Sequence, residues 1–262
     1  MSALPIVEPR ADVYARLRLY NAAMGFLHLV QGVAVLILST AATLPITTSY
    51  VRFTAGNKGV PLPHLATLGH LRLGLTVAVF FFMSAAAHFC VATVAYDWYV
   101  RNLGKGANYA RWIEYAFSSS VMIVLIAMLS GMYDLSSLIL IFALNAMMIL
   151  FGWMMELHNQ TTEKTNWTAF AFGCLAGIVP WVAIALFFFG AQGPNGGGPP
   201  GFVYGIMISL FVFFNVFAVN MVLQYKKVGR WRDYLYGEKV YILLSLVGKS
   251  LLAWQVFAGT LR

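Results

Sequence analysis

Long apolar blocks dominate the hydrophobic pattern of this chain, and short polar segments separate them. Blocks of about 20 apolar residues without amphipathic spacing are typical of helices that cross a bilayer. The pattern predicts seven such helices in one domain over residues 1–262, with no internal repeat. The predicted ranges are 19–39, 71–96, 111–132, 135–156, 168–190, 201–224 and 239–260. We therefore predict an all-α membrane protein, a seven-transmembrane helix bundle.

The segments between these blocks carry turn chemistry. LSGMYD separates the third and fourth predicted helices, and GAQGPNGGGPPG, between the fifth and sixth, predicts a flexible or turning loop. The longest connection covers residues 40–70, and its stretch ITTSYVRFT alternates β-branched and aromatic residues, which predicts a short hairpin. The start of the chain contains Glu8 and Asp12 and no apolar core before a cleavage site, so we expect no signal peptide.

Composition and charge support the membrane prediction and orient the chain. The residues are 60% hydrophobic and 10% charged, whereas a soluble domain carries about 25% charged residues. The net charge of +8 does not require a nucleic acid partner, because the basic residues lie in the loops. Of the 17 lysines and arginines, 12 lie on the N-terminal side, 4 lie on the opposite side, and Lys249 lies within a span. Because lysines and arginines are enriched in the cytoplasmic loops of membrane proteins, we predict a cell-membrane protein with a cytoplasmic N-terminus and an extracellular C-terminus.

Two cysteines, Cys90 and Cys174, lie inside apolar blocks. We expect packed core thiols there rather than a disulfide, and the cysteines and histidines lack the spacing of a metal site.

The stretch LSLVGKSLLAWQVF places Lys249 about ten residues into the seventh predicted helix, which is about 15 Å along its axis and near the bilayer midplane. A charge at that depth is a functional candidate. One interpretation is a structural or ion-pathway lysine. The other is an amine that forms a Schiff base with an aldehyde, because desolvation favours the neutral, nucleophilic form.

Glu114, near the start of the third predicted helix, is the carboxylate available to pair with that lysine. It also follows Arg111 by three residues, so an ordinary Arg111–Glu114 pair at the membrane interface is the alternative. Glu114 is predicted to lie about one helical turn inside the membrane, whereas Lys249 is predicted to lie nearly three turns inside, so the two residues differ in depth. A lysine side chain that leans toward its helix N-terminus narrows this gap.

His28 and His88 are the other ionisable groups within spans. Each alone is as consistent with a hydrogen-bonded core histidine as with a functional group. Together with Ser84 and Gln31 they are candidates for a polar cluster that holds protons or water. Aromatic residues flank the lysine along the chain and on neighbouring helices, and a flat apolar ligand needs such a slot. They are Trp181, Trp254 and the stretch FVFFN, which includes Phe214.

Five motifs resemble those of heliorhodopsins: RWIEYAFSSSVMI, NAMMILFGWMMELH, FGCLAGIVPW, PGFVYGIMISLF and YILLSLVGKSLLAWQVFAGTL. The resemblance covers nearly the whole chain and agrees with the inverted topology of that family. It implies that Lys249 bears all-trans retinal and that Glu114 is the counterion of the protonated Schiff base. It places further residues around the chromophore or its polar cavity: Ser245, Ser84, His28, His88, Tyr115, Asn145, Met148, Trp181, Phe214 and Trp254.

The resemblance also implies a homodimeric, light-sensing protein without strong ion pumping. Outward proton pumps usually carry a second carboxylate one turn before the lysine, where this chain has Ser245. They also carry a donor carboxylate eleven residues beyond the counterion, where this chain has Leu125.

Other functions are weaker alternatives. A light-gated passive proton or ion conductance stays open, whereas a ligand-gated receptor needs the reverse orientation, and an enzyme lacks a second catalytic group. The basic 226–239 loop, KKVGRWRDYLYGEK, contacts either lipid headgroups, which we favour, or an unknown cytoplasmic signalling partner.

Overall fold

Helices account for most of the chain in the computed structural model, which describes residues 11–53, 61–192, 197–199 and 201–261. The elements in chain order are α1 (Ala11–Leu38), β1 (Thr43–Arg52), β2 (Leu62–Arg72), α2 (Leu73–Ala92), α3 (Tyr96–Leu103), α4 (Tyr109–Leu129), α5 (Leu135–His158), α6 (Thr168–Gly190), α7 (Gly201–Tyr225) and α8 (Tyr234–Val256). A 3₁₀ turn, Gly229–Arg232, precedes α8, and a π-helical turn, Phe257–Leu261, follows it.

Seven helices in the described ranges are long and apolar enough to cross a membrane, namely all except the short α3. The predicted seven-helix membrane bundle is therefore confirmed. Two predictions fall on undescribed residues. The absence of a signal peptide concerns residues 1–10, and the Gly- and Pro-rich loop includes 193–196 and 200, all of which lie outside the described residues.

Short polar side chains set where several helices begin. Asn108 and Asp134 cap α4 and α5, because their side chains accept hydrogen bonds from the backbone N–H groups of Arg111 and Ser137. Asp233 caps α8 in the same way, so this helix begins at Tyr234 rather than near residue 239.

The second predicted helix, 71–96, differs at both ends. Its first residues belong to β2, which ends at Arg72, and α2 stops at Ala92. A turn at residues 93–95 then leads into α3. This short helix consists mainly of polar and aromatic residues and contains no long apolar block.

The predicted hairpin is confirmed and lies at the end of the bundle where α1 ends and α2 begins. Strands β1 and β2 pair antiparallel from Thr43↔Arg72 to Arg52↔Leu62, with a bulge between Ile46 and Thr47. The backbone N–H of Thr47 donates to the carbonyl of Tyr133 over 2.9 Å, and this bond ties the hairpin to the turn between α4 and α5.

The expectation that the two cysteines pack in the core is wrong. Cys90 and Cys174 are free thiols, as expected, but both are exposed on the outside of the bundle rather than packed in its core. Apolar side chains such as Leu175, which is 65% exposed, cover the same outer surface. Lipid solvates an apolar face as well as a protein core does, so hydrophobicity alone does not distinguish the two sides of a membrane helix.

Candidate functional site

Lys249 lies in the interior of the bundle, and only 4% of its side chain is exposed. Its Nζ donates a hydrogen bond to Ser245 Oγ over 2.8 Å and lies 3.3 Å from Glu114 Oε1. Ser245 stands one turn earlier on α8, so the lysine side chain leans toward the N-terminus of its helix. This direction brings the amine to a carboxylate that lies only a short way into α4.

Glu114 is held by two groups from other helices. Besides the Lys249 amine, Ser84 of α2 donates its hydroxyl to Glu114 Oε1 over 2.6 Å. The alternative pairing within α4 does not occur, because the Arg111 guanidinium contacts Glu156 and Glu238 instead. Helices α2, α4 and α8 therefore meet at one buried ion pair.

The two membrane histidines lie side by side, close to the ion pair. The rings of His28 and His88 stack with centroids 5.5 Å apart and planes 13° apart. His88 Nδ1 lies 2.8 Å from Asn21 Oδ1, a neighbour on α1 that the sequence did not single out. Neither ring nitrogen of His28 has a hydrogen-bond partner among the described residues, although the residue is fully buried. Buried polar atoms in this state are usual binding points for ordered water.

Gln31 does not belong to this cluster. Its side-chain oxygen accepts a hydrogen bond from Trp254 Nε1 over 3.1 Å and thereby ties α1 to α8.

A cavity of about 40 Å³ adjoins the ion pair on the side toward the N-terminal ends of α4 and α8. Glu114, His88 and Asn21 line it together with Asn108 and Arg111. A water molecule needs about 10–15 Å³ of such space, so the cavity has room for a few waters. This cavity could not be predicted from the sequence, because its lining residues come from α1, α2, α3, α4 and α8.

Aromatic and sulfur-containing side chains form an apolar region between α5, α6 and α7. The Trp181 ring meets Phe214 edge-on at a centroid distance of 5.4 Å and meets Phe211 in the same way at 5.2 Å. On the facing helices, Gly177 lies directly under the Met148 thioether, and a Cβ at Gly177 would collide with it.

Three further predicted residues lie in different surroundings. The Tyr115 ring centroid lies 5.3 Å from Lys249 Nζ, while its hydroxyl donates to the Tyr241 carbonyl over 2.8 Å. Asn145 is buried and donates to Ser119 and Ser120 over 2.7 and 3.0 Å. Trp254 is 37% exposed, and its indole meets the Phe257 ring edge-on with centroids 5.5 Å apart.

This constellation fits a long aldehyde such as retinal. A buried amine can attach to the aldehyde carbon, and the neighbouring carboxylate can balance a positive charge on the linkage. Met148, Trp181 and Phe214 supply flat or flexible apolar surfaces of the kind that line polyene sites. Among the described residues, no group of three or more histidine, cysteine, aspartate and glutamate side chains is placed to hold a metal ion.

A buried lysine paired with a single carboxylate inside seven membrane helices is the arrangement of a retinal protein. The heliorhodopsin family model matches residues 17–261, nearly the entire chain, and the chain belongs to this family. The family comprises retinal-binding, light-responsive, multi-pass membrane proteins of photoreceptor type. No sequence among the curated proteins matches the chain.

Proposed function

We propose that this protein is a light sensor in which Lys249 carries all-trans retinal as a protonated Schiff base and Glu114 is the counterion. The observation that carries the proposal is the 3.3 Å approach of Lys249 Nζ to Glu114 Oε1, with at most 9% of either side chain exposed. When bound, retinal supplies the absorption of visible light and a change of shape.

The residues around the pair would control its protons. Ser84 fixes one oxygen of Glu114, and Ser245 accepts a hydrogen bond from the Lys249 nitrogen. His28 and His88 would take up or return a proton when the charge at Lys249 changes, and the adjoining cavity has room for water that would assist them. The low exposure of the pair excludes bulk water and strengthens the attraction between the two charges.

Two positions support a sensor rather than a pump. Ser245 stands where an outward pump would keep a second acid, and it already bonds the lysine amine. Leu125, at the place of a donor acid, is fully buried in the apolar core. The alternative is a light-gated passive proton or ion conductance, and the 40 Å³ cavity beside Glu114 is the observation in its favour.

The distribution of charge favours a cytoplasmic N-terminus in the cell membrane. Four exposed basic residues crowd the connection between α7 and α8, namely Lys226, Lys227, Arg230 and Arg232. Trp231 anchors this segment by donating to Asn220 Oδ1 over 2.6 Å. We assign this surface to anionic lipid headgroups on the cytoplasmic side, with an unknown signalling partner as the alternative. We also propose that the protein forms a homodimer.

The decisive experiment is a visible absorption spectrum of the full chain purified from cells supplied with all-trans retinal. We expect a visible band that is abolished in Lys249→Ala and retained in Lys164→Ala, a matched control at an exposed lysine. Extraction of the chromophore and chromatography against isomer standards would identify the all-trans form. The absence of a visible band, or its survival in Lys249→Ala, would refute the proposal.

Light-evoked currents separate the sensor from the conductance. We expect no sustained current under voltage clamp in cells that express the pigment. A sustained current that depends on Lys249 would replace the sensor with the conductance.

A further inference from the structure

A second ionic cluster is buried near the N-terminal end of α4. It joins Arg111 of α4 to Glu156 of α5 and Glu238 of α8, with side-chain exposures of 5%, 3% and 0%. Arg111 Nη2 lies 3.1 Å from Glu156 Oε1, and Nη1 contacts Glu238 Oε1. One guanidinium therefore serves two carboxylates from two different helices.

Glu156 is supplied with enough donors to remain ionised. Besides the Arg111 guanidinium, it accepts hydrogen bonds from the Asn108 backbone N–H over 2.9 Å, the Trp112 indole over 2.6 Å and the Tyr234 hydroxyl over 2.8 Å. Both of its oxygens are occupied, and a carboxylate so surrounded holds its negative charge well.

Glu238 has fewer donors. It accepts from Asn108 Nδ2 over 2.6 Å and from Arg111. The other polar or titratable side chains that surround Glu238 carry no positive charge. They are Tyr99 of α3, Gln224 and Tyr225 of α7, and Tyr234 and Tyr241 of α8 itself. In the described part of the chain, Arg111 is the one cation that forms an ion pair with either glutamate.

Two ionised carboxylates and one guanidinium would leave an uncompensated negative charge among side chains that are at most 5% exposed. Burying such a charge is strongly unfavourable, and carboxylates that share a site relieve it by binding a proton. We propose that the Arg111–Glu156–Glu238 cluster is a proton-binding site that holds one proton at neutral pH, carried on Glu238.

The cavity connects this proton site to the counterion. Arg111 and Asn108, which contact both glutamates, line the same 40 Å³ space as Glu114 and His88. Arg111 Nε is buried and has no hydrogen-bond partner among the described residues. A water in this cavity would satisfy it and begin a water-mediated contact toward Glu114. Through this contact the charge on Glu238 affects the electrostatic environment of the counterion Glu114. This extension rests on the proposed retinal function.

Infrared spectroscopy of the full chain, recorded without visible illumination, tests the proton site. The measurement does not depend on the visible absorption band. The C=O stretch of a protonated carboxylic acid is separate from carboxylate bands, and we expect it at neutral pH in the unmodified protein. Glu238→Gln should remove it. Glu156→Gln should remove it as well, because a one-to-one pair with Arg111 needs no proton. Glu163→Gln, at an exposed loop position, is the matched control and should retain it.

The outcomes decide the proposal. An acid band that is absent from the unmodified protein, or that persists in Glu238→Gln, refutes the proton site. Loss in Glu238→Gln with retention in Glu156→Gln refutes the sharing of a proton between the two glutamates. Should the variants not accumulate, an alkaline titration of the unmodified protein provides the second measurement, in which the acid band must convert to a carboxylate band.

The visible spectrum in the same titration tests the connection. Deprotonation of Glu238 adds negative charge on the counterion side, so we expect a shift to shorter wavelength that coincides with loss of the acid band. The shift should be absent in Glu238→Gln and present in Glu163→Gln. An unchanged wavelength refutes the connection through the cavity. A protein without any visible band refutes the retinal function and leaves the infrared result standing.

Discussion

Two buried ionic sites lie in the interior of the bundle, and they are built in opposite ways. The Lys249–Glu114 pair has one charge of each sign, and a single serine supports each partner. The Arg111 cluster has two carboxylates for one cation, and backbone, indole, amide and phenol donors surround it. Few bonds must break when the first site changes its charge, whereas many must break in the second.

The difference shows that the number of hydrogen bonds around a buried charge determines whether the site can change its charge or stabilises the packing of helices. A sparsely bonded pair can change its proton or its covalent partner without disrupting neighbouring helices. A densely bonded cluster joins the ends of α4, α5 and α8, and breaking it exposes buried charge to an apolar surrounding. We therefore expect the larger change of colour from substitutions in the first site and the larger loss of stability from substitutions in the second.

The largest effect is expected from Arg111→Gln. Removal of the guanidinium leaves the Glu156 carboxylate buried without a cation, and breaking a buried ion pair in this way costs about 3–5 kcal/mol. The free energy of unfolding, measured by denaturant titration in detergent, should fall by that amount. Arg101→Gln, an exposed position on α3, is the control and should change it little. A loss of less than about 1 kcal/mol in Arg111→Gln would remove the contrast between the sites.

Glu114→Gln should alter colour more than stability. Neutralising the counterion lowers the excitation energy of a positively charged chromophore, so absorption should move to longer wavelength, or the Schiff base should lose its proton at neutral pH. Visible spectra recorded across a pH series distinguish these two results. Glu163→Gln should keep the original spectrum. An unchanged spectrum in Glu114→Gln would exclude this residue as the counterion.

Tyr234→Phe should have a moderate effect. The substitution removes one of the donors to Glu156 and leaves the indole, backbone and guanidinium donors in place. The expected loss is about 1 kcal/mol in the free energy of unfolding, with the colour unchanged. Tyr236→Phe is the matched control, because the Tyr236 ring meets the Trp231 ring edge-on and its position lies outside the cluster. A change of colour in Tyr234→Phe would show that the two sites share more than their cavity.

The smallest effect concerns Asp134, an ionised group outside the membrane spans. Hydrogen bonds from the Ser136 hydroxyl and the Ser137 backbone hold the pKa of the Asp134 carboxyl below its usual value. The stabilisation it provides is present above the unfolded pKa and is lost as the pH falls through the lower folded pKa. Amide exchange in the first turn of α5 should therefore quicken in acid, beyond the intrinsic pH effect. Asp134→Asn, which keeps the cap without titrating, should remove that dependence.

Features that depend on a local pattern were predictable from the sequence. The membrane spans follow from uninterrupted apolar blocks, and the hairpin follows from alternation in β1. Lys249 was conspicuous because a charge within an apolar block has no ordinary explanation. Its approach to Glu114 was harder to predict, because sequence spacing does not show how far one helix extends beyond another.

Features that depend on packing were not predictable. Glu156 and Glu238 stand near predicted helix ends, where charged side chains commonly face water, so nothing distinguished them from surface groups. Asn21 was missed for a similar reason, since a lone polar residue in α1 has no partner until α2 packs beside it. The outward direction of Cys90 and Cys174 was missed because both faces of their helices are apolar.

Those two thiols provide a native pair of attachment points for spectroscopy. Cys90 stands on α2, the helix whose Ser84 bonds the counterion, and Cys174 stands on α6, the helix that carries Trp181. Membrane-permeable spin labels can reach both from the lipid phase, and no cysteine has to be introduced. The label-to-label distance before and after illumination would then measure, in the unmutated chain, how far these two helices separate.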